Sequence, residues 1–134
     1  MASHPQWADE SLTYLNDRVY NNIPRFKQIL YNDYSNIMRI INLYKQNPQF
    51  IKTKQINDFG LKCQQNSRLL LAVYENEFFK PAYNKYRQMD QSLTYEYWID
   101  SVALSERSLF YDFYELTQAN LRDCTKIVER STNR

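Results

Sequence analysis

Residues 23–46 read IPRFKQILYNDYSNIMRIINLYKQ, and the spacing of their apolar positions decides the fold class. Ile23, Phe26, Leu30, Tyr34, Ile37, Ile41 and Tyr44 follow one another at intervals of 3, 4, 4, 3, 4 and 3 residues. That spacing keeps the residues on one face of a helix and would scatter them over both faces of a strand. Pro24 suits the first position of such a helix, where its missing N–H is no loss. A helix is therefore expected to begin near residue 24.

On the N-terminal side, Trp7, Leu12, Leu15 and Val19 predict a short first helix ending near Asn22, with Ser3 and Gln6 at capping-box spacing. On the C-terminal side, Asn47-Pro48 repeats the start signal of a cap residue followed by proline. Ile56, Phe59, Cys63, Leu70, Val73 and Phe78 then predict a third helix closed by Lys80-Pro81. The lone Gly60 reads either as the end of a short first piece or as an interior glycine tolerated at a cost of about 1 kcal/mol. Residues 81–93 read as a connector, with one helical turn at Tyr83 and Tyr86. Ser92 or Thr94 is placed to cap a long final helix toward Arg130, with a break near Ser101–Ser105 as the alternative to a continuous run. The expected fold is all-α: a single domain over residues 1–134, built as an antiparallel bundle of about four helices with a long C-terminal helix.

The same chain lacks most catalytic equipment. It holds twelve Tyr, seven Phe and two Trp but one glycine, where average usage would give roughly nine. Phosphate-cradling loops and dinucleotide fingerprints need two or three glycines and are excluded. A single histidine, His4, excludes Ser-His-Asp and Cys-His catalysis, His-based zinc sites and paired Glu-x-x-His di-iron motifs. Cys63 and Cys124 are too far apart in sequence for a Cys-x-x-Cys metal site and read as small core residues. Glu96 with Asp100, Asp112 with Glu115, and Glu75 near Glu77 pair carboxylates on the helices but meet no further convergent ligands, so they read as solvated acids. No catalytic, metal or cofactor-binding residue is assigned, and the chain reads as non-enzymatic.

Charge is unevenly spread beneath the formal net +2. Residues 24–68 hold eight Lys/Arg against two Asp/Glu, whereas residues 89–134 hold five against eight. Lys45, Lys52, Lys54, Lys62 and Arg68, interleaved with Tyr44, Phe50 and Phe59, form a candidate basic patch for nucleic acid. The whole-chain pI of about 8.5 is below the value above 9 expected of a dedicated nucleic-acid module. The basic second helix, with Arg25, Lys27, Arg39 and Lys45, also admits peripheral membrane contact. The longest strongly apolar run, Leu69 to Tyr74, is far short of a bilayer span, and no N-terminal leader is read. An intracellular setting is expected, and a mitochondrial or a cytoplasmic, cytoskeletal assembly fits equally.

The tyrosines carry the functional expectation. Tyr31/Tyr34 and Tyr111/Tyr114 have i, i+3 spacing, and Tyr95, Tyr97 and Trp98 crowd the start of the last helix. The apolar stripes already supply Ile, Leu, Phe and Val for a core, and tyrosine hydroxyls are costly to bury unpaired. Aromatic side chains of this kind are enriched where one protein meets another. These seven residues are the expected docking surface of an accessory or scaffold subunit for other protein subunits. A competing source of tyrosine is codon supply: thirteen Asn and ten Gln beside the scarce glycine match an AT-rich coding bias.

Overall fold

A computed structural model describes residues 5–132, so Ser3, His4, Asn133 and Arg134 lie outside the described residues. Helix α1 spans Gln6–Gln46, and a 3₁₀ turn follows at Pro48–Lys52. Helix α2 spans Lys54–Val73 and passes through a π-helical turn, Tyr74–Phe79, directly into α3, Lys80–Tyr86. Helix α4, Tyr95–Trp98, opens into a second π turn at Ile99–Ala103, and α5 spans Phe110–Thr132. The architecture is an all-α helical bundle, with no strand and no positive φ among the described residues. Among the described residues, no helix is long and apolar enough to cross a membrane.

Two expected helix boundaries are absent, and both were read from prolines. The first and second expected helices are one 41-residue helix with Pro24 in its interior. The reason is phase: Leu15, Val19, Phe26, Leu30, Ile37 and Ile40 are all buried along one line of α1, with no shift at residue 24. Pro24 and Tyr20, the residue whose carbonyl its ring would disturb, are both exposed, so the freed carbonyl lies on the hydrated side of the helix. Pro81 likewise starts no connector. The Lys80 N–H reaches back five residues to the Glu75 carbonyl, and this widened turn relieves the contact that the proline ring makes in a regular helix. Residues 81–86 are thus helical, and only residues beyond Arg87 loosen.

The expected long final helix is interrupted. Thr94 caps α4 through its Oγ1, which accepts from the Tyr97 N–H at 3.3 Å. The chain leaves helical geometry at Leu104 and resumes at Phe110, whose N–H donates to Ser108 Oγ at 3.1 Å. Asn16 on α1 clamps the intervening turn from both ends. Its Oδ1 accepts from the Leu109 N–H at 2.9 Å, and its Nδ2 donates to the Arg107 carbonyl at 3.3 Å.

Contacts group the described residues into two compact units, with all three boundaries inside helices α1, α2 and α5. The first comprises residues up to Pro24 with Leu71–Tyr114. Its core is aromatic: Phe79 packs edge-on against Phe110 at 5.0 Å and against Trp98 at 6.4 Å, and Tyr74 meets Phe110 at 5.6 Å. The buried Trp98 Nε1 donates to the buried Ser11 Oγ of α1 at 3.2 Å, which satisfies the one polar atom of the indole.

The second unit comprises Arg25–Leu70 with the described residues from Glu115 onward. It is an up-down-up arrangement of three helical segments. Asn57 pairs with Ser131 and Gln64 with Thr125, so α2 and α5 run antiparallel. On α1, Leu30 accepts from Asn120 of α5, and Tyr44 lies under the Arg130 guanidinium at 5.1 Å, so α1 and α5 run parallel. Ile37, Ile40, Ile56, Cys63, Cys124 and Ile127 form the core between the three segments.

Gly60 is buried against this core and lies inside α2 without ending it. A Cβ built there would stand 2.8 Å from Val128 Cγ2 and 3.1 Å from Ile127 Cγ2. The only glycine in the chain thus stands where α5 leaves α2 no room for a side chain, and the absent Cβ permits that approach. Gly60→Ala should lower stability by about 1 kcal/mol, because overpacking against a β-branched neighbour outweighs the gain in helix propensity. Denaturant unfolding of Gly60→Ala, Val128→Ala and the double variant checks the cause: the double should be less destabilised than the sum of the singles, by about 1 kcal/mol. Pro24→Ala should instead stabilise the chain by about 2 kcal/mol, which an upward shift in denaturation midpoint without a change in slope would register.

Candidate functional site

The seven expected docking residues fall into three environments. Tyr31 and Tyr34 on α1 are 49% and 44% exposed, and Tyr97 on α4 is 61% exposed with its ring edge-on to Trp7 at 6.2 Å. Tyr95, Tyr111 and Tyr114 are half-buried. Trp98 is 0% exposed and is core, a correction to its expected place on the surface. The largest apolar side chain of α4 fills the space between Phe79, Tyr83 and Tyr95, where burying its area is worth more than presenting it to solvent.

Lys45, Lys52, Lys54, Lys62 and Arg68 are all exposed and all belong to the second unit. That unit holds eleven Lys/Arg and five Asp/Glu among its described residues, whereas the first holds five and ten. The modest whole-chain charge is therefore the remainder of a basic unit and an acidic one. Within residues 24–68 the contrast is sharper still, since one of the two acids, Asp33, is buried and only Asp58 faces solvent.

Asp33 was not among the expected core positions, and it explains where Tyr34 goes. Phe26, Leu30, Asp33, Ile37, Ile40 and Tyr44 form the line that faces α2 and α5, at intervals of 4, 3, 4, 3 and 4. Shifted by one residue, Lys27, Tyr31, Tyr34, Met38, Ile41 and Lys45 repeat the same intervals along the adjacent flank of α1. The first line is filled by the bundle. In the second, Tyr31 and Tyr34 are exposed between Lys27 and Lys45, while Met38 and Ile41 are half-buried. The signal available in sequence was the greater regularity of the line through residue 33, masked by an acid where an apolar residue is the usual occupant.

Burial pushes the Asp33 carboxyl above its ordinary range, while hydrogen bonds with Asn66 and Cys63 and the charge of Lys62 oppose the shift. Cys63 and Cys124, distant in sequence, meet in the same core, and both are free thiols. Their mutual hydrogen bond, then burial, pushes the Cys63 thiol far up, which leaves it neutral and inert. On the other flank of α1, Arg39, Ile40 and Leu43 form an open groove with Phe50, Ile56 and Phe59.

A separate pocket of about 230 Å³ lies in the acidic unit, with Tyr95, Tyr114 and Glu75 among its walls. Tyr95 Oη is buried and has no hydrogen-bond partner among the described residues. Burial, together with the nearby Glu75, Tyr114 and Glu96, pushes its pKa up to about 12, so it stays a neutral phenol. The chain matches no protein-family model, no curated protein and no solved structure.

Because the folded-state carboxyl of Asp33 binds its proton more tightly than an unfolded one, the native state holds more protons just above pH 3.8. Its contribution to stability is therefore present below that pH and lost as pH rises through the raised value. Asp33→Asn should melt higher than the parent at pH 7, and the difference should close as pH falls toward the ordinary carboxylate range of about 4. Thermal melts of both proteins across that interval check the sign.

Proposed function

We propose that this chain is a non-enzymatic accessory subunit that docks into a multiprotein assembly along one flank of α1. The observation that carries this reading is the second 4-3 line of α1. Lys27, Tyr31, Tyr34, Met38, Ile41 and Lys45 have the spacing of a helix-packing seam, and two tyrosines stand in its centre exposed to solvent. A seam with that period fits another helix, since residues three and four apart remain aligned along the contact. Tyrosine anchors in the middle and cations at both ends suit an amphipathic helix with apolar centre and acidic flanks. The excess of Lys/Arg in the second unit complements such a partner and would speed its encounter.

Nucleic acid is the second reading, favoured by exposed Lys52 and Lys54 beside the exposed Phe50. The two readings separate under mutation. With the partner subunit co-purified from native cells, Tyr31→Ala/Tyr34→Ala should weaken binding by about 30-fold or more, and Lys52→Glu/Lys54→Glu should change it little. Steeply salt-dependent binding to RNA or DNA that is lost in Lys52→Glu/Lys54→Glu and kept in the tyrosine variant would assign the basic patch to nucleic acid instead. A lone 16 kDa species from native cells, with no stoichiometric protein attached, overturns the docking reading.

A further inference from the structure

The pocket in the acidic unit has a chemistry unrelated to the α1 seam. Leu71, Phe79, Ile99 and Leu104 give it apolar walls, Tyr95 and Tyr114 add rings, and Glu75 supplies a carboxylate. No Lys or Arg lines it. Both π-helical turns contribute walls, Glu75 and Phe79 from the first and Ile99 from the second. Such turns widen a helix and recur at functional sites.

We propose that this pocket binds a small organic ammonium ion, with the ammonium group at the Glu75 carboxylate and an apolar tail among Leu71, Phe79, Ile99 and Leu104. Sign, ring content and size point to that class. The Glu75 side chain offers an ammonium N–H a carboxylate that accepts, and among the described residues no Lys or Arg shares the wall with it. Three aromatic rings around the same space favour a cation over their faces. The competing cation, Lys80, holds Glu75 only at 3.8 Å across an exposed pair, which a bound ammonium displaces at little cost. A cavity of 150 Å³ takes one benzene, so about 230 Å³ takes roughly nine non-hydrogen atoms. The excess of Asp/Glu over Lys/Arg in this unit adds a field that concentrates cations at its surface.

The test titrates phenethylammonium, and separately its neutral isostere 2-phenylethanol, into the full chain while amide NMR shifts near Glu75, Tyr95 and Ile99 are followed. The ammonium should bind saturably and about tenfold or more tighter than the alcohol, as expected of a charge-assisted hydrogen bond. Glu75→Gln, at a half-exposed side chain, should fold as the parent does and bring the two ligands to within about twofold of each other. Tyr95→Phe should keep the preference for the ammonium while raising the melting temperature, since it removes a buried hydroxyl without a partner. The proposal fails if the alcohol binds as tightly, if Glu75→Gln keeps the preference, or if no saturable shift occurs up to about 10 mM, the weakest affinity expected of nine atoms.

Discussion

The unbroken phase of α1 is the constraint on which the rest depends. Along 41 residues its buried line never shifts, so the same helix supplies Leu15 and Val19 to one unit and Phe26, Leu30, Ile37 and Ile40 to the other. A proline in the helix interior costs about 3 kcal/mol when nothing offsets it. Here the offset is large, because breaking the helix at residue 24 would uncouple apolar side chains worth about 1.5–3 kcal/mol each. Pro24 is tolerated on the one side of the helix where water can satisfy the carbonyl it frees. Tertiary burial, and not local propensity, carries this helix past residue 24.

The same principle separates what was legible in the sequence from what was not. Helical periodicity, the absence of strands, the Thr94 cap and a break in the final helical region follow from spacing and local chemistry, which act within a turn or two. Pro24 and Pro81 misled because a proline signals a boundary only if the chain gains nothing by continuing. Asp33 was illegible for a related reason: its position in the core line is regular, but its identity argues for the surface. Only the surrounding groups, Asn66 and Cys63 above all, make an acid acceptable there. The meeting of Cys63 with Cys124 needs the α2–α5 contact, which no local pattern encodes.

The site residues divide along the same line. Periodicity places Tyr31 and Tyr34 on a common flank, and the folded chain leaves them there. It cannot rank the aromatics of α4 by burial, because Tyr95, Tyr97 and Trp98 are consecutive or nearly so and point in different directions. Trp98 took the core, Tyr97 the surface, and Tyr95 the wall of a pocket. Each outcome depends on Phe79, Tyr83 and Phe110, which arrive from elsewhere in the chain. Much of the aromatic excess is therefore ordinary core of the first unit. A codon bias that supplies tyrosine freely would fill such a core without selecting for any surface.

Codon supply does not, however, account for where charge lies. A bias in base composition acts on the chain as a whole and has no knowledge of which segments fold together. Yet residues 25–70 and the described part of 115–134, separated by 44 residues in sequence, make one basic unit, while the intervening stretch joins the N-terminal segment in an acidic one. Segregation of sign between two compact units costs self-repulsion within each, because like charges are gathered where mixed signs would relieve them. The tyrosine seam proposed to dock an acidic partner lies in the basic unit, and the pocket proposed to take an ammonium ion lies in the acidic one, so both proposals follow the sign of the unit that carries them.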